Sequence, residues 1–387
     1  MNHLFRLAAS FLLLMTVAAT ATPAEADRVK KSFQLSMEKW TVTVRAATTP
    51  EARAKAWSAR PDPAAAAKQM WEVIGPALRE TWTLDPAAWF LSLTAGLHAT
   101  QPNGKSSPTF IQETEAIYTA IETYHMKSAK LSPVCLALSA CQDPRSLALL
   151  EKIQTKHSDK TVQGVAALAT AMRLKFLGDD PALMSKRLTL LRKAIIDSAD
   201  VVIGSSRRIV GARFVEDGVE DLVEGGDITV AKLAEDELYI IRFLTKGRIA
   251  PDLTGTDSGM RPLQLSNHKG KVIVLLFWNS GVEDVARVLG AATAMEKKFA
   301  GKPFAIIGVN NDTTENLREM QKQPDLVTFP NFTDPQNRLA REYRIGSWPL
   351  VYVLDGERKI RYAGQLGSFV DITVTALLDA PKPAAAK

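Results

Sequence analysis

The sequence predicts a two-part chain: an all-α region followed by an α/β domain with a largely parallel sheet. Three observations predict it. From about residue 28 to 246, apolar residues recur at three- and four-residue spacings. Near Gly247 the pattern changes to short runs rich in Val, Ile and Phe, "KVIVLLFW", "PFAIIGVN" and "PLVYVLD". Helical stretches separate these runs, and strand–helix alternation implies parallel strands covered by helices.

In chain order, the first element is a leader over residues 1–26. "MNHLFRLAASFLLLMTVAATATPAEA" has a short segment with Arg6, then an apolar run over residues 7–19 and small residues. This is the pattern of a cleaved signal peptide, and the apolar run is short for a membrane span. A retained N-terminal anchor helix is the alternative. Cleavage sites of the Ala-x-Ala form end at Ala21 and at Ala26. The leader predicts an exported protein, periplasmic or secreted. No later window approaches ~20 uninterrupted apolar residues, so no membrane span is expected in the mature chain.

The mature chain, roughly 360 residues, suggests two domains. With 46% hydrophobic and 23% charged residues the composition is globular. The formal charge of +6 is modest, and no Lys/Arg block is interleaved with aromatics, which argues against a nucleic-acid partner.

The first domain is expected over residues 27–246, as an irregular helical domain. Asp62-Pro63, Asp85-Pro86, Asp143-Pro144 and Asp180-Pro181 mark helix starts. Aspartate caps the free amides, and proline fits the first turn because its missing N–H is not needed there. Trp40, Trp57, Trp71, Trp82 and Trp89 read as core more readily than as a ligand platform. His98, His125 and His157 are scattered singly without metal-ligand spacing, so no metal and no cofactor is predicted.

The two cysteines, Cys135 and Cys141, lie in "LSPVCLALSACQDP". Export and an even count invite a disulfide. Ser132-Pro133 reads as a cap and first helical position. Residues six apart on a helix are separated by roughly 9 Å, whereas a bridge needs Cα atoms within about 7 Å. A disulfide therefore requires the helix to end before Cys141; otherwise the pair are buried, inert thiols.

The second domain is expected over residues 247–380, followed by a frayed tail, "PKPAAAK", at 381–387. Its order is β-α-β-α, a further helix, then β-β and a final helix. Asp355-Gly356 marks the turn of the β-β hairpin. "GRIAPDLTGTDSGMRPLQLSNHKGKVIVLLFW", "FAIIGVNND" and "FTDPQNRLAREYRIGSWPLVYVLDGERKIRYAG", in that order, resemble the exported thioredoxin-like redoxins of the TlpA-like and AhpC/TSA group.

The resemblance implies a thioredoxin fold, a cis-proline at Pro349 and thiol-disulfide chemistry in a Cys-x-x-Cys pair at the end of the "FW" strand. Matched position by position, Val282 and Val285 stand where the family has its two cysteines, and Gly281 where it has a tryptophan. The chemistry needs a thiolate at a helix N-terminus, and valine supplies neither nucleophile nor redox couple. Ser280-Gly281-Val282-Glu283 instead has the form of a capping box. Glu283 and Asp284 suit a helix start and oppose a thiolate there.

A non-catalytic binding or scaffold protein is therefore expected, its partner an unknown exported protein or an extended peptide held in the family's groove. Trp278, Ser280, Gly281, Trp348 and Pro349 are the groove candidates, with core packing as the alternative for the tryptophans. The other reading is a thiol-disulfide oxidoreductase or antioxidant using Cys135 and Cys141 or a partner's thiols.

Overall fold

The computed structural model describes residues 21–380 except 48, 101–103, 179, 206–207, 216–217, 225 and 283–284. Most of the leader and the tail at 381–387 lie outside that set. The described chain divides into two compact units, one of residues up to 39 with 61–146, the other of residues 40–60 with 147 onward.

The first unit is built from helices. It contains most of α1 (Pro23–Ala46), then α3 (Pro63–Ile74), α4 (Leu84–Thr94), α5 (Ile111–Ala120) and α6 (Ser132–Ala140); α2 (Pro50–Ser58) falls in the other unit. A two-stranded ribbon, β1 (His98–Thr100) with β2 (Ser106–Pro108), interrupts the helices. Met70, Ile74, Phe90, Leu91, Tyr118 and Leu138 are buried and form its core. Asp62 caps α3 through its side chain, accepting from the Ala64 amide. Asp143 likewise accepts from the Ser146 amide at 2.7 Å at the start of α7 (Pro144–Lys156). Asp85 does not cap: it lies inside the first turn of α4 and pairs with Lys30 at 3.2 Å. Ser132 is also not a cap, because α6 already begins there and Leu131 holds the cap position without a side-chain bond.

The second unit adds α8 (Lys160–Leu174), α9 (Pro181–Ser198, capped by Asp180) and α10 (Val230–Tyr239). Between α9 and α10 the all-helical expectation fails. Val202–Ser205 (β3) pairs with Asp227–Thr229 (β6), and Arg208–Val215 (β4) pairs with Gly218–Glu224 (β5), all antiparallel. "VVIGSSRRIVGARFVEDGVEDLVEGGDITV" carries β-branched residues on both sides of Asp217-Gly218, a hairpin signal that overrides the surrounding helical pattern.

A ribbon of β7 (Thr254–Thr256) and β8 (Pro262–Gln264) leads into the main sheet. That sheet has the order β11-β10-β9-β12-β13, with β9 (Val272–Trp278), β10 (Phe304–Asn310) and β11 (Asn331–Thr333) parallel. Antiparallel β12 (Leu350–Leu354) and β13 (Ile360–Gly364) close the other side. Asp355 organises their turn by accepting from the Glu357 and Lys359 amides at 2.9 Å each. The helices are α11 (Val285–Lys298), α12 (Thr314–Lys322), α13 (Arg338–Glu342) and α14 (Ser368–Asp379).

Strand β9 is buried along its whole length. Its residues alternate between two cores, as strand geometry requires. Val274, Leu276 and Trp278 pack with residues of α11, α12 and α14. Ile273, Leu275 and Phe277 pack with Leu339, Tyr343 and Tyr352. Leu244, Tyr239 and Ile240 join that second core. The end of the helical region is thus part of the α/β hydrophobic core, which is why 147–246 group with it. A buried ion pair, Arg187 with Glu237 at 3.0 Å, ties α9 to α10.

Candidate functional site

Parallel β9 and β10 end side by side, Asn310 opposite Trp278. The turn after β9 carries the residues that the sequence singles out. Its geometry is set by Asp312, two residues past β10. One Asp312 carboxylate oxygen accepts from the Ser280 amide at 2.8 Å, and the other accepts from the Ser280 hydroxyl at 2.8 Å. Asn310 Nδ2 donates to Asp312 at 2.9 Å, and the Asp312 amide donates back to Asn310 Oδ1 at 3.0 Å. Asn316, in the first turn of α12, donates to the Ser280 hydroxyl at 3.0 Å. Ser280 is 9% exposed, so these bonds are largely shielded from water.

The capping-box expectation rests on Glu283, which with Asp284 lies outside the described residues. The Ser280 hydroxyl donates to Asp312 and accepts from Asn316, and α11 starts at Val285. Gly281 is exposed, its amide donating to Asn279 Oδ1 at 3.0 Å. Val282 is buried at 8% exposure, and Val285 packs against the core beneath α11.

The two tryptophans do not share a groove. Trp278 is fully buried and donates its indole N–H to Asn331 Oδ1 at 2.8 Å, so it is a core residue, the alternative the sequence left open. Trp348 lies on the other face, half-buried, with its ring 6.3 Å from that of Phe277. The Trp348–Pro349 bond is cis, and Leu350, which follows, pairs with Phe277 of β9. Ser280, Gly281, Trp348 and Pro349 therefore remain around the end of β9, while Trp278 is withdrawn beneath it. Asp312, Asn310 and Asn316 are absent from the sequence-based set. "GVNND" is the local signal for Asn310 and Asp312, and it does not reveal a partner 32 residues away.

Residues 246–363 match the AhpC/TSA family. That match decides the domain's kinship. The C-terminal domain is a thioredoxin-like redoxin domain. Among relatives, the thiol-disulfide oxidoreductase ResA of Bacillus cereus is 27% identical over 115 residues, 30% of this chain and 66% of that protein. The thioredoxin-like protein YneN of Bacillus subtilis is 28% identical over 116 residues, 29% of this chain and 66% of that protein. The chain thus spans just under two thirds of the length of these relatives. Among solved structures, the thioredoxin domain of a thiol-disulfide oxidoreductase from Bacteroides vulgatus is 24% identical. It covers 35% of this chain and 99% of that one, with a TM-score of 0.32.

No cysteine lies in the redoxin domain; the two in the chain, Cys135 and Cys141, belong to the other unit, and both are buried and outside any disulfide. Helix α6 does end before Cys141, whose backbone is extended, so the helix no longer forbids a bridge, yet none is formed. Burial pushes the Cys135 thiol up to about 12, which leaves it a neutral thiol at physiological pH. Among the described residues no group of three or more His, Cys, Asp or Glu is placed to hold a metal ion. Among them, too, no helix is long and apolar enough to cross a membrane.

Proposed function

We propose that this is an exported thioredoxin-fold protein that binds or scaffolds a polypeptide partner without redox chemistry at the redoxin site. One observation carries the reading. Where the resemblance places the reactive pair, the chain has Val282 and Val285, and the turn leading into them is fastened by Asp312 rather than left free for sulfur exchange. An exchange reaction needs an accessible thiolate and a second sulfur that reaches it. The valines provide neither.

What remains is the surface formed by Gly281, Trp348 and Pro349 at the end of the central strand. Main-chain pairing to an extended segment gives affinity without chemistry, and a half-exposed tryptophan is a good anchor for it. Export rests on the leader's pattern and on the kinship with thiol-disulfide oxidoreductases. A redox role through Cys135 and Cys141 is opposed by the complete burial of Cys135 and its raised thiol.

The test is capture of partners by the mature protein and by a Trp348→Ala variant shown to keep the wild-type circular dichroism. A partner crosslinked to wild type at the end of β9 and lost from the variant supports the reading. Equal recovery by both removes the groove from consideration.

A further inference from the structure

We propose that the leader is removed between Ala21 and Thr22, so that Thr22 becomes both the first residue of the exported protein and the cap of α1. The proposal rests on the export reading above and goes beyond it, because the sequence alone offers Ala21 and Ala26 equally as cleavage positions.

The structure treats the two positions unequally. Ala21 and Thr22 precede the helix, and Pro23 is its first residue. The Thr22 hydroxyl accepts from the Glu25 amide at 3.3 Å, and the Thr22 carbonyl accepts from the Ala26 amide at 3.2 Å. Threonine at the cap, proline next and glutamate at the third helical position make a complete helix start. Cleavage after Ala26 would remove all of it, together with Ala26 itself, which is 4% exposed. The shortened helix would begin at Asp27, whose carboxylate would have to leave Lys31, 3.4 Å away, to cap it. Cleavage after Ala21 keeps every one of these groups. The same start draws residues 23–26 toward helix in the nascent chain, whereas a peptidase needs its substrate extended. Ala21 lies ahead of the cap and escapes that bias.

A second observation concerns charge. Among the described residues, Glu25 Oε2 is buried without a hydrogen-bond partner, while Oε1 lies 3.5 Å from Arg28. In a capping box, the glutamate reaches back to the amide of the cap residue. Hydrolysis of the Ala21–Thr22 bond by one water leaves a carboxylate on Ala21 and an ammonium on Thr22. That ammonium brings three donors and a positive charge to the position a capping-box glutamate addresses. An ammonium at a helix N-terminus is ordinarily unfavourable because of the helix dipole, and the Glu25 carboxylate offsets it. Processing would thus create a partner for Glu25 Oε2.

The experiment is expression of the full 387-residue chain in an exporting bacterial host, followed by intact mass and N-terminal sequencing of the exported protein. The expected N-terminus is Thr22. An N-terminus at Asp27, or an exported chain that keeps Met1 as a retained anchor, overturns the proposal while leaving export intact; a chain that keeps Met1 and stays in the cytoplasm overturns the export reading with it. In the Ala21→Leu variant, unprocessed precursor is expected to accumulate, and undiminished processing would refute the assignment. For the charge pairing, Glu25→Gln should lower the melting temperature of the Thr22-started protein. Acetylating its N-terminus should give the same loss, with no further loss when the two are combined; the absence of any shift would overturn the pairing.

Discussion

Asp312 is the residue whose loss most directly probes how the turn after β9 is held. In Asp312→Ala, three bonds vanish: those from the Ser280 amide, the Ser280 hydroxyl and Asn310 Nδ2. Hydrogen bonds to a charged acceptor contribute about 1.5–3 kcal/mol when well buried, and the partial exposure of Asp312 brings each nearer 1 kcal/mol. The expected destabilisation is about 3 kcal/mol, and for a unit of this size a kcal/mol shifts the melting temperature by ~2–4 °C. Calorimetry should therefore show a drop of about 6–12 °C in the transition that reports the redoxin domain. Ser280→Ala loses only the hydroxyl's bonds to Asp312 and Asn316, for about 1.5 kcal/mol. Because the residues share bonds, the double variant should fall short of the sum by at least ~0.5 kcal/mol. A drop below ~2 °C for Asp312→Ala, or strict additivity, would contradict the idea that this network fastens the turn.

Three further outcomes follow from the same geometry. Gly308→Ala would place a methyl group on the Asn331 carboxamide oxygen and within 2.9 Å of Trp278 Nε1, so it should cost about 2–3 kcal/mol in denaturant unfolding; a neutral result would count against the buried Trp278–Asn331 bond. The Cys135 thiol, raised from 9.0 to about 12, stays neutral in the folded chain where the unfolded chain ionises, so its contribution to stability is full below pH 9 and lost as pH climbs toward 12. Cys135→Ala should flatten the stability profile over that window, and an unchanged slope would be the contrary result. In Val282→Cys/Val285→Cys, the new thiols should titrate at or above the ordinary value of about 8.5, measured by pH-dependent alkylation, because Glu283 and Asp284 oppose a thiolate in that turn; a value below about 7 would overturn this.

The redoxin domain was legible because its signals are local. "KVIVLLFW" is a continuous apolar run, as a strand buried on both faces must be, and Asp355-Gly356 sits where the β12–β13 turn forms. That same continuity hid the fate of Trp278. In a strand apolar on both sides, composition does not tell which face is core and which borders a groove, so Trp278 and Trp348 looked like neighbours. The Asp312–Ser280 contact was illegible for another reason: it joins the ends of two parallel strands, and no periodicity links residues 32 apart. In the helical half, the Asp-Pro starts at residues 62, 143 and 180 were readable as caps, whereas Asp85 went to Lys30, a partner 55 residues away. The β4–β5 hairpin had its own signal around Asp217-Gly218, diluted by charged residues that also suit a solvated helix.

The most direct test of the central claim is turnover of a disulfide substrate by the mature full-length protein under a thiol reductant, alongside a Cys135→Ser/Cys141→Ser variant. The account predicts that both proceed at the rate of the reductant alone, because Val282 and Val285 stand where the resemblance places the reactive pair. Turnover above that background, abolished in the double variant, would contradict it.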